Sequence, residues 1–252
     1  MAGKGGSGSR GGSAGRGGVT RSDLGGQRHK TVKLKTARGR TNSSQRWLER
    51  QLNDPYVVES KRLGYRSRAA FTLLQLDEKF GLLKPGQRVV DLGAAPGGWT
   101  QIAVKVTKAP DRGQVLGIDL LPVEPIPGSE ILLGDFMDPD APDLLKAQLG
   151  GPVDVVLSDM AAATTGHTPT DHLRIVGLCE AAFEFALEVL APGGSFVAKV
   201  FQGGSEGELL VRMKQAFKVV RHAKPAASRA ESAESYVVAT GFRGLSGSVS
   251  KD

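Results

Sequence analysis

The segment DLGAAPGGWTQ, residues 91–101, constrains the fold more than any other part of this sequence. It follows a short strand-like run, RVV at residues 88–90, and leads into a stretch over 99–105 that can continue as a helix. Three glycines lie in the intervening loop, and glycine lets backbone approach a ligand closely. The first N–H groups of the helix would point at that ligand. This order of strand, glycine loop and helix predicts a site for a nucleotide-like cofactor.

Apolar runs and amphipathic segments alternate through most of the chain. Strands are predicted at residues 89–92, 115–120, 131–133, 153–157, 195–201, 218–222 and 236–240. Helices are predicted at residues 45–52, 56–61, 69–80, 99–105, 141–149, 171–190 and 206–217. This alternation predicts a doubly wound, mostly parallel α/β sheet, with a late antiparallel strand because the last two strands are close in sequence.

The first 43 residues differ in composition from the rest. They hold ten Lys and Arg residues against one acidic residue, a net +9, while the whole chain carries +7 and the remainder therefore −2. Because this stretch is rich in Gly and Ser and nearly free of large apolar residues, we predict a disordered arm at 1–43, a folded domain at 44–242 and a flexible tail at 243–252. A basic arm favours phosphate backbones, although a solubilising extension would have the same composition.

Cysteine and histidine usage excludes several kinds of site. Cys179 is the only cysteine, so neither an intrachain disulfide nor a cysteine zinc site can form, and the cytoplasm is the expected compartment. Only His167 and His172 lie close together among the histidines, across a proline-containing loop, and we expect no metal site. No apolar run approaches membrane-spanning length, so we expect no membrane association, and by default a monomer.

Acidic residues lie at the ends of successive predicted strands. Asp119 ends the second strand, and Asp135 and Asp159 follow the third and fourth. Ligands of such sheets bind beyond the carboxyl ends of the strands. An acid after the second strand accepts hydrogen bonds from ribose hydroxyls, in a dinucleotide or in S-adenosylmethionine. The alternative is that Asp119 and Asp135 only cap helices.

The glycine loop itself favours S-adenosylmethionine. The sequence GAAPGG lacks the GxGxxG register that binds a pyrophosphate. Carboxylates at positions 135 and 159 would repel a pyrophosphate, whereas they would attract an adenine amine and a cationic sulfonium. A dinucleotide is therefore the less favoured alternative.

A set of motifs resembles the FtsJ-type ribosomal RNA 2′-O-methyltransferases. They are RWLERQLNDPYV, GYRSRAAF, DLGAAPGGWTQ, GIDLLP, GDF, SDM, LAPGGSFVAKVFQG and ESYVVATG, in this order within residues 44–241. The resemblance implies a Rossmann-like class I methyltransferase. It further implies methyl transfer from S-adenosylmethionine to a uridine 2′-hydroxyl of 23S ribosomal RNA, in the assembled or assembling large subunit.

The resemblance also implies roles for individual residues. It assigns cofactor binding to Gly97, Trp99, Asp119, Asp135 and Asp159, and catalysis to Lys199, Asp159 and Glu234. A ribose 2′-hydroxyl is a poor nucleophile whose proton must leave, so a positioned base is required. Lys199 would need a lowered pKa, which burial favours, while the two carboxylates would orient it and hold its proton. A lone lysine at a strand end could otherwise simply reach solvent.

Two departures from the family pattern concern the substrate side. Thr72 occupies the position of a family lysine and cannot carry a positive charge. We hypothesise that the lysine oriented RNA phosphate or the catalytic base, and that Arg68, one helical turn earlier, partly replaces it. The segment after Asp159 reads MAAATTG, where the family commonly has Pro and Asn, so RNA positioning is expected to differ.

Basic residues near the first helices are candidate RNA contacts. Arg62, Arg66 and Arg68 would bind phosphates, and Tyr65 would either stack on a base or pack at a helix start. Two alternatives to the leading function stay open. One is an RNA-binding ribosome-assembly factor with weak catalysis, motivated by Thr72. The other is the same reaction on transfer RNA or a messenger cap.

Overall fold

The computed structural model describes residues 41–163, 165–201, 207–229 and 232–244. The predicted disordered arm lies outside these residues except at its end, where the first described helix already begins at Asn42. The predicted flexible tail lies outside them beyond residue 244. Both assignments therefore stay predictions.

Helices and strands alternate along the described chain from residue 88 onward. The strands are β1 Arg88–Leu92, β2 Gln114–Asp119, β3 Glu130–Leu133, β4 Val153–Ser158, β5 Leu190–Phe201, β6 Phe217–Ala223 and β7 Glu234–Phe242. The helices are α1 Asn42–Asn53, α2 Pro55–Leu63, α3 Ala69–Phe80, α4 Gly98–Thr107, α5 Ala141–Gln148, α6 Thr168–Val189 and α7 Gly207–Ala216. Each predicted element is present, with ends that differ by a few residues.

The strands form one seven-stranded sheet in the order β3-β2-β1-β4-β5-β7-β6. Strands β1 to β5 pair in parallel, whereas β7 lies antiparallel between β5 and β6. The short connection from β6 to β7 explains this direction, because a parallel crossover needs about a dozen residues or more. The predicted doubly wound sheet with a late antiparallel strand is confirmed.

The start of β5 differs from the sequence prediction. The strand begins at Leu190 rather than at residue 195. Its pairing with β4 is interrupted, since Val153 faces Leu190 whereas Val155 faces Ser195. Residues 191–194, APGG, therefore form a bulge. A proline and two glycines are poor strand formers, which is why the sequence pattern hid this first part of the strand.

Helices cover both faces of the sheet. One face packs against α3 and α4 through a cluster that includes Leu73, Leu76 and Ile102. The other packs against α5, α6 and α7 through a larger cluster that includes Leu145 and Phe183. Within the described ranges, no helix has both the length and the apolar character needed to cross a membrane.

Helix α3 begins without a side-chain cap. Ser67 is of a residue type that often caps helices, but Arg68 occupies the N-cap position and makes no capping hydrogen bond. The Ser67 hydroxyl is instead buried without a hydrogen-bond partner among the described residues. It lies where a side chain on Gly98 would have to go, so α3 and α4 meet here at close range.

Candidate active site

The glycines of the loop after β1 permit close packing between loops. Gly93 has φ +80°, and a Cβ atom there would lie 2.8 Å from the backbone nitrogen of Met160. Gly97 has φ +109°, and its Cβ would lie 2.6 Å from Cδ1 of Ile126. Only glycine fits such positions without displacing its neighbours. Glycine is thus required at these two positions because the loops after β2 and β4 pack against them. These loops surround the cofactor site.

A pocket opens beyond the carboxyl ends of the first four strands. It is lined by Gly93, Ile118, Asp119, Leu120, Gly134, Asp135, Phe136, Met160, Ala161 and Leu178. Two carboxylates face an otherwise mostly apolar surface, and no basic residue belongs to this lining in the described part of the chain. These hydrogen-bond acceptors are unsuited to a pyrophosphate and fit a ligand with hydroxyls, an amine and a positive charge, as S-adenosylmethionine has.

Asp119 and Asp135 accept hydrogen bonds from backbone N–H groups of the loops around the pocket. Asp119 accepts hydrogen bonds from the N–H groups of Ala95, at 2.8 Å, and Leu121, at 2.8 Å. Asp135 accepts one from the N–H of Met137, at 2.9 Å. Neither residue caps a helix, so the capping alternative is wrong for both. Each carboxylate oxygen retains a lone pair for a ligand, since a single oxygen can accept two hydrogen bonds.

Gly97 and Trp99 lie behind the pocket rather than in its lining. The Trp99 side chain is only 2% exposed, and its Nε1–H donates to the carbonyl of Ala69 at 2.9 Å. Its ring packs 5.6 Å from the ring of Tyr236, measured between centroids. Gly97 is the N-cap residue of α4. A cofactor contact from Trp99 would have to come from its backbone, and the role of both residues stays a prediction.

The second part of the site joins β4 to β5. Asp159 follows β4, and Ser158 pairs with Ala198, which places Asp159 beside Lys199. The Lys199 ammonium lies 3.0 Å from Oδ1 of Asp159 and 3.2 Å from its carbonyl oxygen. Parallel neighbours end at the same edge of a sheet, so residues 40 positions apart in sequence meet directly.

The antiparallel strand β7 completes this group. Lys199 pairs with Tyr236, and Phe201 pairs with Glu234. Opposite residues share one face of a sheet, and every second residue returns to that face, so Glu234, Tyr236 and Lys199 project together. The distance from the Lys199 nitrogen to Oε1 of Glu234 is 3.8 Å. We call Asp159, Lys199, Glu234 and Tyr236 the lysine cluster.

Tyr236 is the member of the lysine cluster that sequence reasoning missed. Its hydroxyl donates a hydrogen bond to Oδ1 of Asp159 at 3.0 Å, the same oxygen that faces Lys199. The available signal was its position two residues after Glu234, which in a strand means the same face. Burial and the nearby carboxylates raise the pKa of Tyr236 well above its usual value, so it acts as a hydrogen-bond donor.

The charge balance around Lys199 contradicts the expected lowering of its pKa. Burial is the largest single influence and lowers the pKa, but Asp159 and Glu234 together raise it more, so the net pKa lies above the usual 10.5. The side chain is 9% exposed, which leaves the attraction of the carboxylates poorly screened. Lys199 is therefore an ammonium group in this state, and it must lose a proton before it can accept one.

The three candidate RNA-binding arginines lie in different surroundings. Arg62 is exposed and forms an ion pair with Glu59, 2.6 Å between Nη2 and Oε1. Arg66 donates to three backbone carbonyls. Arg68 lies 3.1 Å from Oδ2 of Asp54 and donates to the carbonyl of Ala227. Arg66 and Arg68 thus have partners inside the protein, while RNA binding by all three stays a prediction.

Thr72 and Tyr65 lie among the N-terminal helices. Thr72 is 5% exposed on α3 and lies one turn after Arg68, on the same helical face. Burial lowers the pKa of Arg68, and the carboxylates of Asp54 and Glu234 oppose this shift, so the Arg68 guanidinium is within electrostatic reach of the lysine cluster. The ring of Tyr65 packs edge-on against Phe71, which supports the packing alternative for Tyr65.

No metal-binding group is formed by the described residues. No three His, Cys, Asp or Glu side chains within those ranges are placed to hold an ion together.

The segment after Asp159 contributes Met160 and Ala161 to the cofactor pocket, whereas position 164 lies outside the described residues. The two halves of the site therefore meet at residues 159 and 160.

Comparisons with known proteins agree on one family. Residues 65–242 match the profile described as FtsJ-like methyltransferase. The chain is 67% identical over 225 residues to Ribosomal RNA large subunit methyltransferase E of Paramagnetospirillum magneticum, covering 88% of this chain and 92% of that protein. It is 64% identical over 224 residues to the protein of the same name from Rhodospirillum rubrum, covering 88% and 85%.

A solved structure shows the same fold. The crystal structure of a candidate ribosomal RNA methyltransferase from Plasmodium falciparum superimposes with a TM-score of 0.64 at 28% sequence identity. The match covers 72% of this chain and 100% of that chain.

Proposed function

The chain belongs to the FtsJ-like methyltransferase family, and on that premise we propose that it methylates the ribose 2′-hydroxyl of a uridine in large-subunit (23S) ribosomal RNA. The methyl donor is S-adenosylmethionine. The relatives named above support the choice of large-subunit RNA. We place the activity in the cytoplasm, where ribosomal subunits are available.

One observation supports this function most directly. The acidic pocket and the lysine cluster meet at residues 159 and 160, because Asp159 contacts Lys199 while Met160 lines the pocket. A methyl donor held in the pocket is therefore next to a group that can manage the proton of an incoming hydroxyl. Described residues of a single chain form both parts, which supports action as a monomer.

The lysine cluster handles the proton that methyl transfer releases. Bound S-adenosylmethionine supplies a methyl group made electrophilic by a cationic sulfonium. Lys199, after losing a proton to solvent, accepts the 2′-hydroxyl proton as the new carbon–oxygen bond forms and the carbon–sulfur bond of the methyl donor breaks. Asp159 and Glu234 orient its nitrogen and stabilise the ammonium that results. Tyr236 fixes the Asp159 carboxylate by its hydrogen bond.

RNA affinity has a separate source in this proposal. The basic arm and the exposed Arg62 contact phosphates, which position the RNA without reading its sequence. Substrate choice then depends on the shape of the RNA around the target ribose. Arm-dependent binding weakens steeply with salt because it rests on counterion release.

A direct assay tests the proposed reaction. The purified chain is incubated with labelled S-adenosylmethionine and undermodified large subunits, free 23S RNA or transfer RNA, and the labelled nucleotide is mapped. We expect one labelled ribose in large-subunit RNA. Label on a base, or on none of the three substrates, would contradict the proposal.

The same assay separates the two alternatives. A ribosome-assembly factor with weak catalysis would bind subunits tightly and leave them unlabelled. An enzyme for another RNA would label transfer RNA in preference to large subunits. The matched control is Lys199→Met, which keeps the length of the side chain but removes its nitrogen and is expected to bind subunits without labelling them.

A further inference from the structure

Arg66 connects two loops through three hydrogen bonds. Its Nη1 donates to the carbonyl of Glu124 at 2.5 Å and to that of Pro96 at 3.3 Å, and its Nη2 donates to the carbonyl of Pro125 at 2.8 Å. Pro96 belongs to the glycine loop after β1, and the other two carbonyls belong to the loop between β2 and β3. A planar guanidinium with five donors suits such divergent acceptors.

The loop between β2 and β3 has few donors of its own. Its sequence, LLPVEPIPG over residues 120–128, contains three prolines, and proline has no backbone N–H. Its carbonyls therefore depend on donors from elsewhere. No carboxylate lies within ion-pair distance of Arg66 among the residues that the structure describes. Within the described ranges, the guanidinium thus donates hydrogen bonds to peptide carbonyls only.

The backbone of Arg66 is anchored to the start of α4. Its N–H donates to Oε1 of Gln101 at 2.9 Å, and Nε2 of Gln101 donates to the carbonyl of Gly64 at 3.1 Å. The stem of the side chain lies against Gly97, where an added Cβ would come 3.0 Å from Cδ of Arg66. The side chain is therefore held at both ends and along its length.

The loops that Arg66 joins also line the cofactor pocket. Gly93 and Leu120 belong to its lining, and Asp119, the last residue of β2, joins the two sides through the N–H of Ala95. Arg66 ties them on the outer side. We propose that Arg66 is a positioning residue that sets the separation of these two loops and thereby the affinity for S-adenosylmethionine. This inference rests on the proposed function and replaces the role of Arg66 as a phosphate contact.

Binding of S-adenosylhomocysteine, the demethylated product, tests the inference. Calorimetry on the full chain compares wild type with Arg66→Ala, Arg66→Lys and Arg112→Ala. Arg112 is an exposed arginine in the loop before β2, at the opposite edge of the sheet, and so controls for loss of charge. We expect about tenfold weaker binding for Arg66→Ala, an intermediate loss for Arg66→Lys, which keeps the charge but not the fork, and no change for Arg112→Ala.

Kinetics and RNA binding distinguish positioning from other roles. We expect KM for S-adenosylmethionine to rise about tenfold in Arg66→Ala while kcat changes about twofold or less, because saturating cofactor restores the loop arrangement. RNA affinity and its salt dependence should match wild type. Arg66→Lys gives the same comparison if the alanine variant fails to fold.

Two results would overturn the inference. One is unchanged product binding in both Arg66 variants. The other is a loss of RNA affinity with a reduced salt dependence, as expected of a phosphate contact. Wild-type protein that binds the product but labels no RNA would contradict only the proposed substrate. Wild-type protein that does not bind the product would contradict the proposed function itself.

Discussion

The site at the carboxyl ends of the strands has two halves, and different kinds of contact form them. On the cofactor half, at the ends of β1 to β3, Asp119 and Asp135 accept hydrogen bonds from backbone N–H groups of nearby turns. On the acceptor half, at β4, β5 and β7, side chains contact one another: Asp159 faces Lys199, and Tyr236 donates to the same carboxylate oxygen.

The two halves therefore depend on different properties, the cofactor half on its shape and the acceptor half on its charges. The cofactor half depends on loop geometry, in which glycine contacts and Arg66 hold the walls of a pocket. The acceptor half depends on a charge balance in which small changes shift a protonation state. Variants of the cofactor half should therefore change affinity, and variants of the acceptor half should change the rate of the chemical step. Five predictions test this division.

The largest effect is expected for Lys199→Ala. Removal of the base should lower kcat on the order of a thousandfold, since general bases contribute about 10² to 10⁴. Affinity for S-adenosylhomocysteine should stay within about twofold, because Lys199 does not line the pocket. Single-turnover labelling and calorimetry measure the two quantities. Methylation that survives the substitution unchanged would refute the role of Lys199.

The pH dependence of the rate comes next. Because the pKa of Lys199 is raised, the ammonium form dominates at neutral pH, and the neutral amine increases as pH rises. We expect kcat to increase about tenfold per unit over roughly pH 6.5 to 8.5, while product affinity changes little. A rate that falls with rising pH would mean that the ammonium form is the active one.

On the cofactor half, Asp119→Asn should act on affinity. Asp119 now accepts hydrogen bonds from the backbone N–H groups of Ala95 and Leu121. The amide of asparagine keeps one acceptor oxygen, but its NH₂ group would face one of these two N–H groups and could not accept from it. We expect KM for S-adenosylmethionine to rise about tenfold with kcat changed about twofold or less. Asp111→Asn, in the exposed loop before β2, is the matched control. A fall in kcat alone would break the division between the halves.

Tyr236→Phe should act on the rate and on its pH profile. The ring keeps its packing against Trp99, but Asp159 loses a hydrogen bond and attracts the Lys199 ammonium more strongly. We expect kcat to fall about fivefold at neutral pH. The pH–rate profile should also move to higher pH. An equal loss of rate at every pH would indicate a packing role only.

The smallest effect is expected for Thr72→Lys. A lysine here adds a positive charge on the face of α3 that also carries Arg68, within electrostatic reach of Glu234. We expect about a twofold to threefold increase in rate or in RNA affinity. Thr72→Met, similar in length but uncharged, is the control. No change in either quantity would argue against the hypothesis that the family lysine oriented RNA or the base.

The amino-acid sequence by itself determined the fold, the family and the cofactor. Strand and helix periodicity is local, so the order of elements and the late antiparallel strand could be predicted without any contact. The acids after successive strands could be placed at one edge for the same reason, since parallel strands end together. The bulge at residues 191–194 was missed because its proline and glycines hide the strand pattern.

The tertiary structure alone decided the charge state of Lys199 and the partners of the arginines. The sequence left open whether Lys199 is buried or reaches solvent. The net direction of its pKa depends on distances to Asp159, which follows β4, and to Glu234 on β7. Likewise, Arg66 looks like a phosphate contact in sequence, yet carbonyls from distant loops occupy its guanidinium. Electrostatic and hydrogen-bond energies depend on distances between groups in space. For residues far apart along the chain, local sequence patterns do not give those distances.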